Sequence, residues 1–242
     1  MNRVGMRILD LFFPNRCDCC KQEIRFDRWI CAECEEKLRK LECTPPDVWA
    51  LRQNTADPFP WDGFAALYYY RDLAKTGVLS IKTGHKGFLN AMADGLSTRI
   101  SEQFSGIRID CITFVPVTKR RRRRQGYSHC ELIADALGKR LGIPVEKKLL
   151  SEREGEIRQH HLNYAQRQEY SDRFVHTNRR LDGKTILLCD DIVTTGNTLR
   201  QCIGLLKECG AASVLAAVCA CSAAPVPQRK NLENPLDKSG TV

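Results

Sequence analysis

The sequence of 242 residues contains no long uninterrupted hydrophobic segment, and this absence excludes one large class of proteins. No apolar run approaches the roughly 18 to 20 residues that a helix needs to cross a bilayer, so we expect no membrane insertion. An early apolar patch at 8–13 is interrupted by Asp10, and no small-residue cleavage site follows it. This argues against a secretory signal peptide and leaves the cytoplasm as the expected location.

Acidic residues are fewer than basic ones, with 29 Asp and Glu against 38 Lys and Arg, and the formal net charge is +9. Much of the excess lies in six consecutive basic residues, from Lys119 to Arg124. Such a run fits either a solvated, flexible loop or a loop that binds phosphate or nucleic acid. Charge alone leaves both readings open.

Cysteine is abundant, with 13 residues, but no export signal accompanies it, so a disulfide scaffold is not expected. Two pairs near the start, Cys17-x-x-Cys20 and Cys31-x-x-Cys34, have the spacing of a tetrahedral zinc site. Four thiolates leave no open coordination position, so the predicted zinc is structural, and Cys19 is interpreted as a bystander. The later cysteines fall in apolar or helical segments and are interpreted as buried small hydrophobes: Cys189, Cys202, Cys209, Cys219 and Cys221.

Composition divides the chain into four parts. Residues 1–44 are the expected zinc-binding module, and 45–60, with repeated proline and polar turn signals, are the expected linker. Residues 61–224 alternate apolar strand-like and helical segments, which predicts a parallel α/β sheet flanked by helices. The tail at 225–242 is polar and is expected to be disordered. The predicted strands are 64–70, 111–117, 185–189 and 213–219, and the predicted helices are 73–80, 88–104, 128–141 and 198–209.

The strongest functional pattern is the segment 187–199, Leu-Leu-Cys-Asp-Asp-Ile-Val-Thr-Thr-Gly-Asn-Thr-Leu. A buried strand delivers two carboxylates, Asp190 and Asp191, to the sheet edge where open α/β sheets bind ligands. A turn and a helix N-terminus follow, and their backbone N–H groups and hydroxyls suit an anion. The residues of this expected phosphate loop are Thr194, Thr195, Gly196, Asn197 and Thr198.

Carboxylates beside a phosphate loop fit a sugar phosphate, because they accept hydrogen bonds from ribose hydroxyls. They would also offset the positive charge of an oxocarbenium-like transition state and hold a Mg²⁺-diphosphate indirectly. The simpler alternative is a strand end whose aspartates cap the next turn. A lone Asp-Asp pair would favour that alternative, whereas the complete order of thirteen residues favours the ligand site.

This segment resembles the phosphoribosyl-diphosphate motif of type I phosphoribosyltransferases, an apolar strand followed by two acids, two apolar residues and Thr-Thr-Gly-x-Thr. The resemblance implies that Asp190 and Asp191 are the catalytic pair and contact the ribose, while 194–198 hold the 5-phosphate. It also implies a diphosphate-binding loop after an early strand, where this chain has Lys119 and Arg120. Lys82 is a further candidate phosphate contact, with an exposed lysine at a helix end as the alternative.

Other segments are similar to the ComF competence family: Val115-Pro116-Val117 with the basic run, Ile81-Lys82-x-Gly84, the region 159–167 and the early cysteine pairs. The resemblance covers most of 15–220. It departs at 125–129, where the family usually has Arg-Gly-Phe-Asn-Gln and this chain has Gln-Gly-Tyr-Ser-His. The family implies a role in DNA uptake during natural transformation, with single-stranded DNA and other competence proteins as partners.

Two functions therefore stay open. The first is an enzyme that transfers a phosphoribosyl group, with Mg²⁺, to an acceptor that the sequence does not identify. The second is a non-catalytic binding or scaffold module of the competence machinery, with single-stranded DNA held by Arg121, Arg122, Arg123 and Arg124. The adjacent histidines His160 and His161 would point apart on regular structure and are not assigned as ligands.

Overall fold

A computed structural model of the protein describes residues 15–25, 27–44, 61–83, 86–153, 174–176 and 179–222. The expected linker at 45–60 and tail at 225–242 lie outside the described residues, as do His160, His161 and the whole region 159–167. The strands are β1 (Asn15–Arg16), β2 (Glu23–Ile24), β3 (Gly63–Tyr69), β4 (Cys111–Phe114), β5 (Leu150–Glu152), β6 (Phe174–His176), β7 (Thr185–Val193) and β8 (Ser213–Cys221). The helices are α1 (Ala32–Arg39), α2 (Asp72–Lys82), α3 (Lys86–Gln103), α4 (Lys119–Gln125), α5 (His129–Leu141) and α6 (Asn197–Glu208).

The centre of the fold is a four-stranded sheet in the order β3-β8-β7-β4, in which every neighbouring pair is parallel. Its strands are buried on both faces, which explains why they appear in the sequence as continuous apolar runs. Successive residues of β7 face opposite sides, so Leu187 packs with α2, α3 and α5 and Leu188 packs with α6. The predicted parallel sheet flanked by helices is confirmed.

Helix α5 follows the signals that its sequence contains. Ser128 caps it by accepting a hydrogen bond from Glu131 N at 3.4 Å, and Gly142, with φ of 69°, ends it in the left-handed conformation. The Glu131 carboxylate contacts Arg122 Nη2 at 2.8 Å and Lys147 Nζ at 3.1 Å.

Three segments differ from the expected structure. Strand β4 ends at Phe114, before Pro116, which has no N–H to donate to a ladder. Strands β5 and β6 form a small antiparallel pair in a region where no strand was predicted. The basic run, expected to be a loop, is helix α4, because Lys and Arg are good helix formers and Arg122 N donates to Thr118 O at 2.9 Å.

Both outer strands of the sheet are covered by short segments. The described part of the cysteine module (15–25 and 27–44) contains β1, β2 and α1, and its last residues run along β3. There Cys43 N donates to β3 at 2.8 Å, and Leu41 O accepts from β3 at 2.8 Å. At the other edge, residues 144–146 exchange two backbone hydrogen bonds with Ile112 of β4. Among the described helices, none has the length and apolar character that a membrane span requires.

Candidate functional site

The two acidic residues of the motif lie near the carboxyl end of the central strand β7. Asp190 is 6% exposed and Asp191 is 8% exposed. The strand itself orients both side chains, because Asp191 N donates to Asp190 Oδ1 and Ile192 N donates to Asp191 Oδ1, each at 2.8 Å. The Cys130 thiol of α5 donates to Asp190 Oδ1 at 3.3 Å. These contacts fix two carboxyl groups side by side at one sheet edge.

Two helices bring cationic or ionisable groups to Asp191. Lys82 Nζ, at the last residue of α2, lies 2.7 Å from Asp191 Oδ2, and its side chain is 28% exposed. His129 Nε2, at the first residue of α5, lies 3.3 Å from the same oxygen. His129 occupies a position where this chain departs from the ComF pattern, so sequence reasoning gave it no role. Lys82, in contrast, was named from the sequence as a candidate phosphate contact.

The two acids have opposite electrostatic character. Burial raises the pKa of Asp190 to about 8, and the nearby charge of Asp191 acts in the same direction. Burial also disfavours the ionised form of Asp191, but His129 and Lys82 outweigh it and hold the pKa of Asp191 below its usual range. At neutral pH one carboxyl is therefore largely neutral and can donate a hydrogen bond, while the other is a carboxylate.

The expected phosphate loop follows directly. After β7 ends at Val193, Thr194 and Thr195 are exposed and Gly196 takes φ of 76°, a conformation that favours glycine. Gly196 is the N-cap of α6 and has no side chain with which to cap it. The N–H groups of the first turn, which begins at Asn197, therefore face a position suited to an anion. Thr198, one residue further, is half-buried.

The predicted diphosphate-binding residues follow β4, which ends beside the carboxyl end of β7. Strand β4 pairs with β7 so that Phe114 lies opposite Cys189, and Val115 N donates to Cys189 O at 2.9 Å. Four residues after Val115, Lys119 and Arg120 are exposed at the start of α4.

The rest of the basic run belongs to α4. Arg122 pairs with Glu131, whereas Arg123 and Arg124 are exposed, and the side chain of Arg121 is outside the described part of the structure. Three of the four predicted nucleic-acid contacts are thus exposed, and one of the three, Arg122, is held against α5 by its ion pair with Glu131.

Four sulfur atoms of the cysteine module meet at one point. Sγ atoms of Cys17, Cys20, Cys31 and Cys34 all lie within 4.8 Å of one another, and Cys20 and Cys31 are 3.7 Å apart. Tetrahedral zinc, with Zn–S bonds of about 2.3 Å, places its sulfur ligands roughly 3.8 Å apart, so the cluster fits a zinc ion. Backbone N–H groups also donate to Cys17 Sγ and Cys31 Sγ at 3.4 Å. Burial disfavours the thiolate of Cys17, but backbone hydrogen bonds outweigh it and lower the pKa of Cys17 to about 7.

Cys19 lies outside this quartet. It is 8% exposed, and burial raises its pKa to about 12, so it stays a protonated thiol. Another group of potential ligands, His129, Cys130 and Asp191, also lies within 4.8 Å. Burial raises the pKa of Cys130 well above its usual value, and Lys82 already neutralises Asp191, so neither of these groups favours a cation.

Residues 78–238, more than half of the chain, match the phosphoribosyl transferase domain, and the chain belongs to this family. Among individual proteins, it is similar to the DNA utilization protein YhgH of Salmonella typhimurium, with 23% identity over 217 residues, covering 84% of this chain and 96% of that protein. It is also similar to the competence protein ComFC of Bacillus subtilis, with 24% identity over 204 residues, covering 77% and 81%. The resemblance to the ComF family is confirmed.

Solved structures with a similar fold include the glutamine phosphoribosylpyrophosphate amidotransferase from B. subtilis. The identity is 19% and the TM-score is 0.39, over 55% of this chain and 26% of that chain. The matched part, about half of this chain, thus spans about a quarter of the length of that enzyme.

Proposed function

We propose that this protein binds phosphoribosyl diphosphate with Mg²⁺ at the carboxyl end of β7 and acts as a phosphoribosyltransferase in DNA uptake. One observation carries the proposal: two buried carboxyl groups, Asp190 and Asp191, lie at the end of β7, and a Thr-Thr-Gly turn with both threonines exposed follows two residues later at a helix N-terminus. The names of the relatives, a competence protein and a DNA utilization protein, support natural transformation as the cellular process.

Different residues bind different parts of phosphoribosyl diphosphate in this proposal. The loop 194–198 takes the 5-phosphate through backbone N–H groups and threonine hydroxyls. Asp190 and Asp191 take the ribose hydroxyls, and the charge of Asp191 offsets positive charge that develops on the ribose ring. Lys119 and Arg120 take the diphosphate, and Lys82 orients Asp191 from 2.7 Å while offering charge to the same ligand. This chemistry depends on positioning and charge stabilisation, with no protein nucleophile.

Two metals enter in different ways. Mg²⁺ arrives with the diphosphate as part of the substrate. Oxygen atoms of Asp190 and Asp191 already accept backbone N–H groups or contact Lys82 and His129, which favours indirect rather than direct binding of Mg²⁺. Zn²⁺ is proposed at the four-cysteine cluster, where it stabilises the fold.

Calorimetric titration with phosphoribosyl diphosphate and Mg²⁺ tests the pocket, with ribose 5-phosphate and AMP as controls. The double variant Asp190→Asn, Asp191→Asn should bind about 100-fold more weakly, because each replacement weakens one charged or directed contact to the ribose. Unchanged affinity in this variant would show that the pocket is assigned wrongly. Release of diphosphate in the presence of candidate acceptors then distinguishes an enzyme from a protein that only binds.

A non-catalytic protein that binds single-stranded DNA is the second candidate, favoured by the exposed Arg123 and Arg124 on α4. Replacing both by alanine should lower DNA affinity and flatten its salt dependence by about 0.7 in log–log slope for each lost phosphate contact. Arg108→Ala with Arg180→Ala removes the same charge from exposed positions elsewhere and serves as the control. An equal loss in both double variants would indicate net charge rather than a DNA site on α4. Arg121→Ala and Arg122→Ala complete the series.

A further inference from the structure

Asp18, inside the first cysteine pair, contacts the core of the protein. Its side chain is buried, and Oδ2 accepts a hydrogen bond from Phe88 N at 2.7 Å. Phe88 lies in the first turn of α3, where backbone N–H groups have no partner within the helix. A carboxylate at this position satisfies one of these donors and also interacts favourably with the positive end of the helix dipole. The cysteine module thus fixes the start of a core helix.

The contact leaves no spare space. A Cβ atom added to Gly87 would lie 2.6 Å from Asp18 Oδ2 and 3.3 Å from Trp29 Cβ, so only glycine fits between α3 and the module. On its other side, the Phe88 ring packs directly against Gly77 of α2, where an added Cβ would lie 2.1 Å from the ring. Phe88 is therefore in direct contact with Asp18 on one side and with α2 on the other.

Helix α2 ends at the residue that reaches the acidic pair. Only residues 83–85 separate Lys82 from the start of α3, so the position of α3 constrains the end of α2. Tyr127 OH donates to Lys82 O at 2.9 Å and also fixes this end of α2. Lys82 Nζ in turn pairs with Asp191 Oδ2 at 2.7 Å. Loss of the Asp18 contact would therefore allow α3 to shift. That shift would move the end of α2, and with it the Lys82 ammonium group that contacts Asp191.

We propose that Asp18 is a positioning residue that couples the four-cysteine site to the phosphoribosyl-diphosphate pocket by fixing Lys82. The inference depends on the proposed function, since it names how the module acts on that pocket. Because coupling between two binding sites is reciprocal, zinc in the module strengthens ligand binding, and the ligand strengthens zinc binding by the same factor. Burial in one shared core supports the coupling, as Cys17 and Cys34 belong to the same hydrophobic cluster as Phe88.

The test is a double-mutant cycle between Asp18→Ala and Lys82→Ala, read by calorimetric titration of the full chain with phosphoribosyl diphosphate and Mg²⁺. Asp18→Ala should weaken binding about tenfold in the parent protein, within the usual range for coupled sites. In the Lys82→Ala background the same change should have little effect, because the residue through which it acts is gone. Asp18→Asn keeps an acceptor oxygen and should restore most of the affinity.

Controls separate this role from a general loss of structure. Asp27→Ala removes another module carboxylate, which pairs with Arg25 in the module itself, and should leave affinity unchanged. Zinc content, measured by elemental analysis, should be the same in the parent and in both Asp18 variants. In competition with a zinc-selective chelator, saturating ligand should raise the zinc affinity of the parent about tenfold and that of Asp18→Ala much less.

The outcomes are distinguishable. Native affinity in Asp18→Ala, or an equal loss with and without Lys82, would overturn the coupling while leaving the pocket intact. A parent protein that does not bind phosphoribosyl diphosphate would overturn the proposed function and this inference together.

Discussion

Replacing Asp190 by asparagine is expected to stabilise the protein at neutral pH and to leave its stability nearly unchanged in acid. In the folded protein Asp190 keeps its proton until about pH 8, because burial raises its pKa. In an unfolded chain an aspartate loses its proton near pH 3.9. Between these two values folding takes up a proton, so the free energy of unfolding attributable to Asp190 falls as pH rises through this window.

Asparagine imitates the protonated form of this carboxyl. Its Oδ1 keeps the hydrogen bonds from Asp191 N, now at 2.8 Å, and from the Cys130 thiol, now at 3.3 Å. The gain at pH 8 should be about 1 to 3 kcal/mol, the usual penalty for a buried polar group without adequate partners. For a chain of this size that corresponds to a rise in Tm of roughly 2 to 12 °C.

Asp191→Asn provides the control with the opposite sign. His129 and Lys82 lower the pKa of Asp191, so its stabilising contribution is present above about pH 3.9 and is lost only in stronger acid. Its removal leaves Lys82 without an acid partner and should cost about 2 kcal/mol at neutral pH.

Thermal melts of the parent and both variants between pH 4.5 and 8.5 measure this pair of effects. Differences are taken at equal pH, so the titration of other groups cancels. An Asp190→Asn variant whose Tm difference from the parent is constant across this range, or negative at pH 8, would refute the assignment of a neutral Asp190.

Three further predictions concern two glycines and the cysteine cluster. Gly77→Ala should destabilise the protein by about 1 to 3 kcal/mol in denaturant unfolding, because the new methyl group meets the Phe88 ring. Gly204→Ala, in a helix with nothing within 4 Å of the added Cβ, should stabilise it by about 0.5 to 1 kcal/mol, and a loss there would contradict the packing described. Cys20→Ser should abolish binding of the proposed zinc ion, whereas Cys19→Ala should retain it in elemental analysis; equal zinc in both would remove Cys20 from the proposed site.

Much of the core could be predicted from the sequence because its signals are local. Strands β7 and β8 are continuous apolar runs, and both ends of α5 have their capping residues, Ser128 and Gly142. The acidic pair and the turn after it are contiguous in sequence, so their arrangement on one strand and one helix start followed from the motif. The parallel sheet then placed that motif at a carboxyl edge.

Features that depend on packing between distant segments could not be predicted in this way. His129 reaches Asp191 only because α5 begins beside the end of β7, and no periodicity of the sequence contains that information. The contact from Asp18 to α3 is of the same kind, since it joins residues far apart in the chain. The basic run was misread for another reason: its charge suggested a loop, although its residue types favour a helix.

The covered sheet edges have a consequence for self-association. An open edge strand offers unpaired backbone groups on which a second molecule can add a strand. Here the cover of β3 is made by residues 41–43, at the end of the cysteine module, so it depends on the fold of that module. If the proposed zinc is bound, its removal with a chelator should therefore expose a largely buried, apolar strand to neighbouring molecules, and oligomers and precipitate should form before the central sheet itself unfolds.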